Sequence, residues 1–140
     1  MSKTKKVYCV FLISLLILNY AVVGCSAFST SNDTLSPRYD YVDDTYINIY
    51  KAGNKIYVEI RLSGDVGTTY EGGILTLRRT VDSNTVFLEN LRNLSSSTSV
   101  YSYYNNSHDA VSGTYIVKFA IYAVKNGVRE RVNLEKTLVV

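Results

Sequence analysis

The sequence predicts an all-β domain, an antiparallel β-sandwich of about seven strands, carried behind an N-terminal export segment. Three features predict it. Beyond Pro37, the only proline in 140 residues, the chain is a succession of short runs in which apolar and polar residues alternate, the period of a half-buried strand. Asn126-Gly127 and Gly53-Asn54 separate pairs of such runs as two-residue hairpin loops, and the pairing each loop imposes sets apolar against apolar. Nothing past Pro37 has helical period.

Taken in order, Lys3, Lys5 and Lys6 precede an apolar run over residues 7–23, and Gly24-Cys25-Ser26-Ala27 follows with small side chains. This is the layout of a signal peptide, an apolar helix over residues 1–24 that is removed after export. Two cleavage readings are open. Val22-Val23-Gly24-Cys25 resembles the bacterial lipobox, in which the cysteine thiol, here Cys25, is acylated before cleavage on its N-terminal side. Cys25-Ser26-Ala27 also offers the small residues read by ordinary signal peptidase, which would release a chain starting at Phe28. The product is either lipid-anchored at the cell surface or freely secreted. Residues 25–38, rich in Ser, Thr, Asn and Asp, read as a polar tether, and residues 39–140 as the sandwich.

Cysteine and charge narrow the function. Cys9 leaves with the signal, so no intrachain disulfide survives processing and the domain depends on its core. The 15 Lys+Arg against 12 Asp+Glu include the three signal lysines, and without them the charges balance. The basic character therefore belongs to the targeting segment. It supports neither nucleic-acid binding nor membrane contact other than through the signal or a lipid anchor.

Within the sandwich, residues 45–52 put Ile47 and Ile49 on one face and Tyr46, Asn48 and Tyr50 on the other. Residues 55–62 alternate most cleanly, with Ile56, Val58, Ile60 and Leu62 inward and Lys55, Tyr57, Glu59 and Arg61 outward. Pairing across Gly53-Asn54 then sets Ile49 opposite Val58, Tyr50 opposite Tyr57 and Tyr46 opposite Arg61. Residues 63–73, with Gly64, Gly67, Gly72 and Gly73, read as a glycine-rich connection between sheets; no Gly-Lys-Ser/Thr follows to make it a phosphate loop. Residues 74–81 and 85–91 read as a hairpin around Asp82-Ser83-Asn84, residues 95–99 as a serine loop, 100–104 as a strand, and 105–112 as a loop. The last hairpin pairs Phe119 with Leu134, Ile121 with Val132 and Tyr115 with Leu138 inside. Outside it pairs Lys118 with Glu135 and Tyr122 with Arg131, an ion pair and a cation–π contact.

Residues 109–115 resemble the corner before strand F of immunoglobulin-like and fibronectin-type domains, which implies that the Tyr115 hydroxyl bonds back to nearby backbone. The signal, the tether, Pro37-Arg38-Tyr39, the Gly53 hairpin and Ser112-Gly113-Thr114-Tyr115 are together similar to a group of small uncharacterised exported proteins of Gram-positive anaerobes. That resemblance implies an exported immunoglobulin-like sandwich without assigned activity. The middle strands depart from the group, carrying Arg78-Arg79 and Phe87.

No catalytic, cofactor or metal motif stands out, and the expectation is a non-enzymatic module that binds an extracellular protein or glycan. A small hydrolase acting on glycans is the alternative. His108 reads as a solvated loop histidine, because no nucleophile motif accompanies it. Asp40, Asp43 and Asp44 lack the spacing of an EF-hand and read as turn carboxylates; Glu59 and Glu71 are the carboxylates a glycosidase would need to bring together. The strongest candidate for partner binding is the outward group Tyr46, Tyr50, Tyr57 and Arg61, since tyrosine offers apolar area with a polar tip. Asn32, Asn93 and Asn105 head sequons, relevant only to a eukaryotic secretory pathway.

Overall fold

The computed structural model describes residues 38–140; the signal segment, Cys25 and the tether up to residue 37 lie outside the described residues. Alternation becomes seven strands: β1 (Val42–Ala52), β2 (Lys55–Gly64), β3 (Thr69–Val81), β4 (Asn84–Ser96), β5 (Val100–Asp109), β6 (Thr114–Lys125) and β7 (Val128–Val139). All pairings are antiparallel. One sheet has three strands in the order β1-β2-β5, and the other has four in the order β4-β3-β6-β7. The chain passes between sheets three times, after β2, β4 and β5, which interleaves the two layers; of these crossings the sequence predicts the first.

Both outer hairpins have the predicted register. Ile49 faces Val58, Tyr50 faces Tyr57 and Tyr46 faces Arg61, while Phe119 faces Leu134 and Tyr122 faces Arg131. Positive φ at Asn126 (52°) and Gly127 (78°) is the signature of a type I′ turn, which matches the twist of the strands it joins. Lys118 and Glu135 form the expected ion pair at 2.8 Å, but the closer cation over Tyr122 is Arg129, at 4.3 Å, with Arg131 at 5.8 Å.

The middle of the chain departs from the sequence reading. The connection expected over residues 63–73 shrinks to 65–68, because Gly72 and Gly73 belong to β3. There the register shifts on both sides of Gly73, and Gly72 takes φ +63°, so the glycines make a bulge instead of a loop. A Cβ on Gly73 would stand 2.8 Å from Leu94 Cβ and 2.9 Å from Ile121 Cδ1, which is why the strand lacks a side chain there. The loop expected over Asp82-Ser83-Asn84 is shorter as well: Val81 pairs with Asn84, leaving Asp82 and Ser83 as its two residues. Ser95 and Ser96 belong to β4, and β5 runs to Asp109 through the segment that reads as a loop.

The core lies between the sheets. Ile56, Ile60 and Leu62 from the first sheet meet Leu75, Leu77, Val117 and Phe119 from the second, all buried. Tyr101 of β5 stacks on Phe119 of β6 at 5.1 Å, joining the layers. At one end the Tyr115 hydroxyl donates to the Val111 carbonyl at 2.8 Å and accepts from the Val111 N–H at 3.0 Å, the corner expected of it. At the margin, the Glu130 carboxylate of β7 accepts the N–H groups of Asp40 and Tyr41 at 2.8 and 2.9 Å, and the Tyr39 hydroxyl bonds the backbone of Asn133. Residues 39–41 thus lie along β7 and cover an edge that would otherwise present unpaired backbone groups.

Candidate functional site

The outward face of the three-stranded sheet is fixed by register. Tyr46, Asn48 and Tyr50 of β1 stand beside Arg61, Glu59 and Tyr57 of β2, and Ser102 and Tyr104 of β5 stand beside Arg61 and Glu59. All four predicted residues, Tyr46, Tyr50, Tyr57 and Arg61, therefore share one surface. Their inward neighbours Ile49, Val58 and Ile60 are buried, so the surface rests on the rigid part of the core.

Tyr50 and Tyr57 are parallel stacked, with ring centroids 5.0 Å apart and planes 9° apart. Tyr104 extends the row onto β5, 6.1 Å from Tyr57 and tilted by 54°. Tyr50 and Tyr57 thus cover one face of each other, and what the pair leaves to a partner includes ring edges and hydroxyl tips. Tyr104, 57 % exposed, keeps most of its own surface open. Beneath the row, Glu59 Oε1 accepts the Tyr50 hydroxyl at 2.8 Å, and this bond to a carboxylate pushes the Tyr50 phenol up to about 12. Farther along, Asp44, Tyr46, Glu59 and Arg61 line a shallow hollow.

Sequence reasoning missed Tyr104 because its strand was expected to end there. The signal was present: Tyr104 is out of phase with Tyr101 and Tyr103, which point inward, so it had to point outward.

A second polar group lies between the edge strands of the two sheets. Glu89 of β4 accepts the Tyr103 hydroxyl at 2.7 Å and the Asn105 amide at 3.0 and 2.9 Å, and His108 Nε2 sits 3.6 Å from its Oε2. His108 is therefore not the solvated loop histidine the sequence suggests; its side chain is 22 % exposed. A register shift between Ile56 and Val58 leaves Asn106 and Ser107 together opposite Tyr57, which returns His108 to the inward face opposite Ile56. Burial also raises the Tyr103 phenol, helped by the bond to Glu89. Asn105 spends its amide on Glu89, so a glycan there would have to break the cluster.

The other candidate chemistry does not converge. Glu59 lies outward on β2, whereas Glu71 lies on β3 of the other sheet and pairs with Arg129 at 3.0 Å. Among the described residues no group of three or more His, Cys, Asp or Glu is placed to hold a metal ion. Near the start of β1, the Asp65 carboxyl is held below its usual range, chiefly by the Lys125 ammonium that bonds it.

Fold and surface together define a seven-stranded all-β sandwich with an aromatic face on its smaller sheet. The sequence matches no protein-family model, and no curated protein matches it.

Proposed function

We propose that this chain is exported and acts outside the cell, or lipid-anchored on its surface through Cys25, as a non-enzymatic module that docks a protein partner on the row Tyr50-Tyr57-Tyr104 with Tyr46 and Arg61 beside it. The observation that carries this reading is the stack itself. A sugar ring binds by lying flat on an open aromatic face, and here Tyr50 and Tyr57 cover one another. Edges and hydroxyl tips over a flat strand surface suit a protein, where tyrosine and arginine anchors carry much of the binding energy. A glycan-binding role is the second reading, favoured by the exposed ring of Tyr104 alone.

Two measurements test the proposal. The chain and its Tyr57→Ala/Tyr104→Ala variant are used to capture extracellular proteins and, in parallel, a panel of soluble glycans. Loss of a captured protein by at least tenfold in a folded variant supports docking on this face; unchanged capture rejects it, and loss confined to a glycan moves the assignment to the second reading. For the anchor, labelled fatty acid is expected to enter the wild type and not Cys25→Ala. A soluble product beginning at Phe28 would establish ordinary secretion instead.

A further inference from the structure

The opposite outward face, on the four-stranded sheet, is built differently. Register aligns Arg92 of β4, Ile74 of β3, Ala120 of β6 and Asn133 of β7 in one row. Lys118 and Tyr122 stand on either side of Ala120 along β6. Because Ala120 is short and Gly72 has no side chain, the sheet is hollow here. One depression is lined by Ile74, Thr76, Lys118, Ala120, Arg131 and Asn133 among others, and an adjoining one shares Ile74, Ala120 and Arg131. Ile74 is 39 % exposed on its floor.

The rim is cationic although the charges of the domain as a whole nearly balance. Five cations, Arg78, Arg92, Lys118, Arg129 and Arg131, share this face with two carboxylates, Glu71 and Glu135. Both carboxylates are taken, Glu71 by Arg129 at 3.0 Å and Glu135 by Lys118 at 2.8 Å. Arg131 Nε bonds only the Asn133 side-chain oxygen, at 3.1 Å, and Arg78 Nε is buried with no partner. Arg78, Arg92 and Arg131 make no ion pair among the described residues.

We infer that this hollow is a second docking site, which takes an acidic peptide segment with one aliphatic side chain seated over Ala120 and Ile74 and its carboxylates on Arg92 and Arg131. Charge complementarity and the floor select this occupant jointly. A uniformly anionic polymer or lipid surface would leave Ile74 and Ala120 without apolar contact and would bring anions against Glu71 and Glu135. A peptide places carboxylate and aliphatic groups a few ångströms apart, as the rim and floor require, and its backbone amides suit Thr76 and Asn133. The site lies on the other sheet from the tyrosine row and is independent of it.

The test is fluorescence anisotropy of the purified chain with a labelled peptide in which glutamates flank a central leucine. Saturable binding with half-saturation below about 1 mM is expected, weakening as salt rises. Replacing the leucine by serine, introducing Ala120→Gln to fill the hollow, or introducing Arg92→Glu with Arg131→Glu should each reduce affinity at least tenfold. Tyr57→Ala/Tyr104→Ala should leave it unchanged. The proposal is overturned by absence of saturable binding, by serine and leucine peptides binding alike, by polyglutamate or anionic vesicles binding as well as the peptide, or by insensitivity to the charge reversals. The two arginine substitutions are at exposed positions, so they report on the site even if Ala120→Gln disturbs the sheet.

Discussion

Glu89 is the residue on which most depends away from the apolar core, because one carboxylate serves Tyr103 and Asn105 and lies beside His108. Its side chain is only 14 % exposed, so water does not readily replace it as acceptor. Glu89→Ala should therefore cost about 1–3 kcal/mol through the donors it strands, and Glu89→Gln less, since the amide oxygen still accepts one of them. Urea midpoints of the two variants check this, and equal stability to wild type in both would show that the cluster bears no strain of desolvation. Neither Glu89 nor His108 was legible as part of a cluster in the sequence. His108 faces inward only because two residues of β5 stand opposite one of β2, and no glycine in residues 104–108 marks that extra residue in the sequence.

At the scale of elements the same contrast recurs. The β1-β2 and β6-β7 hairpins were readable to the single pair, because a two-residue loop fixes the register and one buried face penalises any slip. The β3-β4 hairpin was not, since its register shifts three times and each shift turns the following side chains to the other face. Its turn also hides its nature. Asp82 and Ser83 hold φ of 46° and 70°, both in the left-handed region that glycine adopts without steric cost, yet neither residue is glycine. Ser83→Gly should relieve that cost while loosening the unfolded chain. The first effect is expected to dominate at φ 70°, raising stability by a few tenths to about 1 kcal/mol. Thermal melting decides it, and destabilisation would mean that the serine gains more from its surroundings than the backbone loses. The tyrosine face was half legible for a related reason: Tyr46, Tyr50, Tyr57 and Arg61 come from the readable hairpin, and Tyr104 from a strand whose polar second half forms only by pairing with β2.

For the whole molecule, tyrosine links folding to pH. Tyr101 and Tyr70 are buried in the core, and desolvation pushes each phenol up to about 12; a coulombic contribution from Asp43 adds to it at Tyr70. Tyr50 is raised to about 12 as well, chiefly by its hydrogen bond to Glu59, and Tyr103 rises with burial. In the unfolded chain these groups ionise near their ordinary value of about 10. Between about pH 10 and 12 the folded state therefore holds protons that the unfolded state has lost, so stability falls as pH rises. The contribution of Tyr101, Tyr70 and Tyr50 is fully present below about pH 10 and is lost as pH passes through about 12. Tyr101 allows the effect to be isolated, because its ring packs on Phe119 while Tyr101→Phe keeps that packing and removes the ionising hydroxyl. Urea midpoints measured from pH 8 to 12 should decline less steeply above pH 10 in Tyr101→Phe than in wild type, with tyrosinate absorbance in the wild type rising together with unfolding. Parallel curves for the two proteins would show that the Tyr101 hydroxyl reaches solvent freely in the folded state, and the alkaline limit of the sandwich would then rest on the other raised phenols, Tyr70, Tyr103 and Tyr50.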